Sequence, residues 1–105
     1  MAGLGSQGRH RLARYLHALS DETRLKILER LAGGERCVCE LVAVVGGSQP
    51  RLSFHLKTLK QAGLVKDRPD GRWVYYAANP GVLAETRALL EELQAPTRHP
   101  LPVLT

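Results

Sequence analysis

The spacing of apolar residues changes at Gly63, and this change constrains the fold more than any other feature of the chain. Before it, three leucines recur with the spacing of one helical face, namely Leu52, Leu56 and Leu59. After it, residues 64–68 and 72–77 have the pattern of extended segments around a Pro-Asp-Gly turn. The sequence therefore predicts a helix over residues 48–62 followed by a β-hairpin.

The flanking segments add helices to this unit. Apolar residues at helical spacing predict four further helices. The first covers residues 9–19, and the second runs from a cap at 20–22 to a glycine stop at 33–34. The third covers residues 37–45, and the last runs from about 82 to 94. The order is therefore ααααββα. A short helix joined to a second one across Gly46-Gly47 and followed by a hairpin is typical of a winged helix-turn-helix. The predicted fold class is thus mainly α with a small β-hairpin.

The net charge of +5 is concentrated in one part of the chain. Residues 48–72 carry six basic and two acidic side chains, which is a surplus of four positive charges. Such a concentration favours a polyanionic partner, although a solvated basic face would give the same count. The domain organisation predicted from these patterns has three parts: a disordered N-terminus over 1–8, a winged helix-turn-helix domain for DNA binding and dimerisation over 9–94, and a flexible proline-rich tail over 95–105.

Several protein classes are disfavoured by the composition. No apolar run is long enough to span a membrane, and the first eight residues do not resemble a secretory signal. Two cysteines are too few for a disulfide-stapled scaffold, which indicates a reducing cytoplasm. Four scattered histidines form no obvious catalytic constellation. We therefore expect a cytoplasmic protein that is not an enzyme.

On this interpretation, the helix over residues 48–62 enters the major groove of DNA. Four side chains of its first half are predicted to face base edges and nearby phosphates: Gln49, Arg51, Ser53 and His55. Five others, on the helix and the hairpin, are predicted to contact phosphates: Lys57, Lys60, Lys66, Arg68 and Arg72. For the two helix lysines the alternative is a solvated face, and for His55 it is a surface or intra-helix hydrogen bond. The hairpin aromatics, Trp73, Tyr75 and Tyr76, are expected to pack rather than to stack on bases.

The first and last helices are not needed to frame this DNA-binding surface. Both are amphipathic, and two domains paired on a two-fold axis would bind half-sites about one helical turn apart. The sequence therefore predicts a homodimer formed through these two helices. The alternative is that they only complete the core of the monomer.

The two cysteines, Cys37 and Cys39, form a soft donor pair that would select thiophilic ions. They lie at the start of a predicted helix, which lowers the pKa of a thiol. In a regular helix residues i and i+2 point about 200° apart, so we expect both sulfurs to hold one ion only if the first turn distorts. That distortion would shift the following helix and weaken DNA binding.

Three stretches of the chain resemble the arsenic-repressor family, ArsR/SmtB. They are LSDETRLKILERLAGGE at 19–35, CVCEL at 37–41 and SQPRLSFHLKTLKQAGLV at 48–65, within a resemblance that covers residues 10–94. The resemblance implies a bacterial homodimeric winged-helix repressor that binds operator DNA when empty and releases it when a metal or metalloid ion binds. It also implies that Ser48, Gln49, Ser53 and His55 lie on the recognition helix and that residues 64–77 form the wing.

Within this family, the CVCEL stretch is similar to the arsenite-sensing variant, which implies that Cys37 and Cys39 bind arsenite or antimonite. The best-known form of that variant has a third cysteine where this chain has Val42, so a solvent molecule or an external thiol would be the third ligand. The family's zinc site uses Asp and His on the last helix, and residues 79–85 contain neither. The additional N-terminal cysteines of the cadmium and lead variant are also missing. No permanent cofactor is predicted, only an inducing ion.

Other functions remain open at this stage. The same cysteine pair would suit a repressor that responds to oxidation or to another metal such as Cu(I) or Cd²⁺. A small thiol protein or metal carrier would use the C-x-C pair without binding DNA. A DNA-binding protein with no effector would leave both cysteines inert.

Overall fold

The computed structural model describes residues 3–94, and this range contains five α-helices and a three-stranded sheet. The elements in chain order are α1 (Gly5–Leu19), α2 (Glu22–Leu31), β1 (Arg36–Cys37), α3 (Val38–Leu41), a 3₁₀ helix (Val42–Val45), α4 (Gln49–Gln61), β2 (Val65–Asp70), β3 (Trp73–Ala78) and α5 (Pro80–Gln94). The predicted order of four helices, a hairpin and a final helix is confirmed, with one short strand added. None of the described helices is both long and apolar enough to cross a membrane.

The predicted limits of the first helix are wrong by one turn. Residues 5–8, expected to lie in a disordered N-terminus, form the first turn of α1. Gly8 is buried, and a Cβ atom there would lie 3.5 Å from Leu89 Cδ2 of α5. Packing against α5 therefore extends α1 through glycines whose intrinsic helix propensity is low. The tail predicted for residues 95–105 lies outside the described residues.

The sheet has the order β1-β3-β2, and all its strand pairs are antiparallel. Strand β1 pairs through only two positions, Arg36 with Tyr76 and Cys37 with Tyr75. The predicted turn is displaced towards the C-terminus, because residues 69 and 70 belong to β2 and Asp70 pairs with Trp73. The turn itself is Gly71-Arg72, and the positive φ of 61° at Gly71 is the conformation that glycine adopts most readily.

The main core lies between α2, α4 and the base of the hairpin. Its fully buried side chains include Ile27, Leu52, Leu59 and Leu64, so the predicted leucine stripe of α4 does face the interior. At the start of α4, Ser48 is the N-cap, and its Oγ accepts a hydrogen bond of 3.3 Å from the Arg51 backbone N–H. The core and the cap together fix α4 with its opposite side exposed.

Candidate nucleic-acid interface and thiol site

The outer side of α4 carries most of the polar side chains predicted to contact DNA. Gln49, Arg51, Ser53 and Lys57 are exposed, and Ser48 is half-buried at the N-cap. The N-terminus of a helix presents unsatisfied backbone N–H groups and a partial positive charge, which favours an anion such as phosphate. A surface of hydrogen-bonding and cationic groups therefore begins at the first turn of α4.

His55 is not part of this surface, and its predicted contact with base edges is corrected by the structure. Its side chain is buried, at 7% exposure, because it lies three residues after Leu52 on the core-facing stripe of α4. Its Nδ1 atom lies 3.1 Å from Arg24 Nη1 and 3.9 Å from Asp21 Oδ2. His55 therefore connects α4 with α2 inside the protein.

Arg24 is the centre of this buried network. Its Nε–H donates a hydrogen bond of 2.7 Å to the carbonyl oxygen of Ala18, near the end of α1, and its guanidinium also contacts His55. The Arg24 backbone N–H donates to Asp21 Oδ2 at 3.0 Å, which lowers the pKa of the Asp21 carboxyl. Three helices, α1, α2 and α4, are thus joined through one guanidinium group.

Two of the predicted phosphate-binding cations are already paired with carboxylates. Lys60 Nζ lies 2.9 Å from Asp67 Oδ2, which raises the pKa of Lys60 and lowers that of Asp67. Arg68 donates to both carboxylate oxygens of Glu35, at 2.7 and 2.9 Å, and the same contact lowers the pKa of Glu35. Sequence spacing did not identify these partners, because Glu35 reaches Arg68 only through the tertiary fold.

Four predicted DNA-contacting cations form no ion pair with any residue in the range 3–94. They are Arg51, Lys57, Lys66 and Arg72, and all four are exposed. Arg72 occupies the hairpin turn, with its guanidinium carbon 5.7 Å from the centre of the Trp73 ring. Among the predicted DNA-contacting cations, those without an ion pair in the described chain therefore lie on α4 and on the hairpin.

The sulfurs of the two cysteines are closer together than they would be at positions i and i+2 of a regular helix. Cys37 is the extended N-cap of α3, whereas Cys39 lies in the first turn. Their Cα atoms are 5.1 Å apart, and their sulfurs are in disulfide contact. The prediction that Cys37 lies in a helix is therefore wrong, because Cys37 belongs to β1 and is only the N-cap of α3.

A capping box holds this arrangement. Cys37 Sγ accepts a hydrogen bond of 3.2 Å from the Cys39 backbone N–H, and Glu40 Oε1 accepts one of 2.9 Å from the Cys37 backbone N–H. As residues, Cys37 is buried and Cys39 is exposed. Within residues 3–94, no third His, Cys, Asp or Glu joins the pair in a metal-ligating group.

The thiol pair lines a groove together with two of the predicted DNA-contacting residues. Gln49 of α4 and Arg72 of the hairpin turn form the groove with Cys37, Cys39 and Trp73. Backbone pairing of Cys37 with Tyr75 also joins the thiol site directly to β3. The two cysteines therefore share one groove with residues from both elements of the predicted DNA-binding surface.

The first and last helices pack on each other and leave a second apolar side exposed. Leu12 and Tyr15 of α1 and Leu89 of α5 form a small core of their own. Glu85 of α5 pairs with Arg11 of α1 and accepts a 3.0 Å hydrogen bond from the Tyr15 hydroxyl, and these two contacts lower the pKa of Glu85. Three leucines of these two helices remain exposed, namely Leu16, Leu90 and Leu93.

The chain matches the family model described as "Bacterial regulatory protein, arsR family" over residues 21–67. An arsenical resistance operon repressor of Escherichia coli K12 is 43% identical over 75 residues, a region that covers 70% of this chain and 64% of that protein. An uncharacterized HTH-type transcriptional regulator of Methanocaldococcus jannaschii is 40% identical over 82 residues, covering 77% of this chain and 92% of that protein. The chain thus spans slightly less than two thirds of the Escherichia coli relative.

Solved structures show the same architecture. An ArsR-like transcriptional regulator from Rhodococcus sp. RHA1 superimposes with a TM-score of 0.73 at 32% identity. The match covers 82% of this chain and 81% of that structure. The five helices and the small antiparallel sheet are therefore a winged helix-turn-helix.

Proposed function

The chain belongs to the ArsR family of bacterial regulatory proteins, and on this premise we propose that it is a homodimeric transcriptional repressor whose operator DNA is released when a thiophilic ion binds Cys37 and Cys39. Arsenite or antimonite is the proposed ion. One observation carries this proposal: the thiol pair, the first residue of α4 and the hairpin turn line a single groove.

The DNA-binding part of the proposal is supported by charge and exposure. Gln49, Arg51 and Ser53 contact base edges or the adjoining phosphates, and Lys57, Lys66 and Arg72 contact phosphates. Each is exposed, and the four cations among them form no ion pair within the described chain. Binding by such contacts weakens steeply as the salt concentration rises, because counterions are released from the phosphates.

The sensing part is supported by the chemistry of the donors. Two thiolates favour soft ions and not Mg²⁺ or Ca²⁺. The exposed Cys39 gives an ion access, and the buried Cys37 adds a second sulfur fixed by the capping box. A solvent molecule or an external thiol supplies the third ligand, since this chain has Val42 at the position of the third cysteine in the related variant.

Coupling between the two sites follows from their shared groove. An ion held by the sulfurs changes a site that Gln49 and Arg72 also line, and Cys37 is paired with Tyr75 of the hairpin. Binding therefore alters the relative placement of α4 and the hairpin without unwinding a helix. By linkage, DNA weakens ion binding by the same free energy, typically about 1–3 kcal/mol.

Dimerisation is supported by the exposed leucines of α1 and α5. Leu16, Leu90 and Leu93 leave an apolar surface on the helices that are not needed for DNA contact. A two-fold dimer through this surface presents two copies of α4 to half-sites about one helical turn apart.

The decisive experiment is a titration followed by fluorescence anisotropy. The protein, held under a non-thiol reductant, is bound to labelled DNA from upstream of its own gene, and arsenite is then added. We expect arsenite to release the wild-type protein and to leave the Cys37→Ser/Cys39→Ser variant bound. Serine keeps the capping role of residue 37, so the variant tests the thiol and not the fold.

Other outcomes would contradict parts of this proposal. Tight DNA binding that arsenite never disturbs would exclude arsenite as the ion, and titration with Cu(I) or Cd²⁺ would then test other thiophilic ions. Release of the double serine variant would exclude the cysteines as the sensor. A lack of DNA binding at any salt concentration would favour a small thiol protein.

Disulfide contact between the two sulfurs favours a second candidate, in which oxidation is the signal. A peroxide would take two electrons and two protons from the thiols, forming the disulfide and water. Release of DNA by peroxide but not by arsenite, reversed by a reductant, would support this function over ion sensing.

A further inference from the structure

Phe54 is a large apolar side chain on the exposed side of α4. It is 62% exposed, and no other large hydrophobic residue of α4 is exposed in this way within the described chain. A single exposed apolar residue is ordinary on a protein surface. What distinguishes Phe54 is its position, since it lies opposite the leucine stripe that holds α4 against the core.

The outermost line of α4 runs through Phe54. Exposed residues follow each other along this line at spacings of four, three and four, and they are Pro50, Phe54, Lys57 and Gln61. Phe54 is therefore the large apolar group that a ligand approaching α4 head-on would meet near the middle of the helix.

The Phe54 ring has a fixed neighbour on its inner side. Its centroid lies 5.4 Å from that of the His55 ring, at an interplanar angle of 67°, which is an edge-to-face arrangement. His55 is itself held by Arg24 in the buried network. Part of the Phe54 ring is thus supported by a rigid group, and the rest remains open to a ligand.

Positive charges flank the ring. Arg51 and Lys57 lie three residues before and after Phe54, which places them next to it on the helix surface. Both are exposed and form no ion pair with residues 3–94. An apolar ring between two free cations is complementary to a polyanion that also carries apolar groups.

Duplex DNA has this combination in its major groove. The C5-methyl group of thymine is the apolar feature there, and an aromatic side chain contacts it without a hydrogen bond. We infer that Phe54 is a specificity-determining residue that contacts the C5-methyl group of one thymine in each operator half-site. The inference rests on the proposed function, because it requires α4 to lie in the major groove.

Replacement of thymine by uracil removes this methyl group and leaves base pairing unchanged, so it is the matched test. The full-length protein first selects a tight-binding duplex from a random-sequence pool. Each thymine of one half-site is then replaced in turn by deoxyuridine, and the dissociation constant is measured by anisotropy. We expect one position at which uracil weakens wild-type binding about fourfold, the effect of exposing one apolar carbon.

The same scan is repeated with Phe54→Ala, which should fold normally because the side chain is exposed. The fourfold effect should disappear in Phe54→Ala, persist in Gln61→Ala, and persist in part in Phe54→Leu, which keeps an apolar side chain. Urea unfolding of each variant checks that the fold is intact.

Each failure has a separate meaning. Wild-type binding that no uracil substitution weakens would overturn the role of Phe54 while leaving the proposed function in place. A uracil effect of equal size in wild type and Phe54→Ala would assign the methyl contact to another residue. If no duplex is bound at all, the proposed function and this inference fail together.

Discussion

The two sides of α4 carry similar polar groups in opposite environments. On the inner side, His55 is buried and its Nδ1 atom lies 3.1 Å from Arg24 Nη1. On the outer side, Arg51 and Lys57 are exposed and form no ion pair within the described range. The chemical type of a residue therefore does not determine its role here. Its position on the helix does, because the inner side orients α4 and the outer side is available to a ligand.

The inner side should dominate stability. Replacing Arg24 with Met removes the donor to His55 and to the Ala18 carbonyl oxygen, and leaves these buried acceptors unpaired. The expected loss in the free energy of unfolding is about 3 kcal/mol. Urea unfolding followed by circular dichroism measures it.

Lys26 provides the control for this substitution, since it is exposed on the same helix. Lys26→Met should change the free energy of unfolding by no more than about 0.5 kcal/mol. An equal loss in both variants would mean that the buried network does not hold α4 in place.

The outer side should affect DNA binding and leave stability unchanged. Lys57→Ala removes one cation from the exposed face, so it should weaken binding to all sequences. The slope of log K against log salt should fall by about 0.9 for each phosphate that is no longer neutralised, which is one phosphate for each protomer. Anisotropy titrations over a series of salt concentrations measure the slope. A variant that unfolds more easily while keeping its slope would reverse the roles of the two sides.

The elements of the fold were predictable from local signals. Three leucines and a serine cap predicted α4, and alternation around Gly71 predicted the hairpin. The short strand β1 gave no such signal, because Cys37 is extended only through its pairing with Tyr75, far along the chain. Local spacing was therefore sufficient wherever an element has its own core-facing stripe.

The functional residues were harder to predict, for physical reasons. His55 has a polar side chain, but its spacing from Leu52 placed it on the buried stripe, and that signal was present in the sequence. The carboxylate partners of Lys60 and Arg68 had no such signal in the sequence, since Asp67 and Glu35 reach these cations through tertiary contacts. Ion pairing between distant residues decides which cations remain available to DNA, and one-dimensional spacing does not report it.

Lys60 is intermediate between the buried inner side and the unpaired outer side of α4, because it is exposed but paired with Asp67. We therefore expect a change at this pair to have the smallest effect on DNA binding. Asp67→Asn leaves the Lys60 ammonium without its partner at 2.9 Å. DNA binding should tighten modestly, and the salt slope should rise by at most about 0.9 per protomer. Glu29→Gln makes the same change in net charge at an exposed residue of α2 that forms no ion pair within residues 3–94, so an equal gain in both variants would indicate a general charge effect.

The same pair predicts a difference at acid pH. The Lys60 ammonium lowers the pKa of Asp67 below its ordinary 3.8, so the pair stabilises the fold fully above that pH. As the pH falls from 3.8 through the lowered pKa, Asp67 is protonated and this stabilisation is lost. Wild type should therefore lose stability more steeply than Asp67→Asn in that window, as measured by urea unfolding at successive pH values. Parallel curves for the two proteins would show that the pair is screened by solvent and that Lys60 is as available to DNA as Lys57.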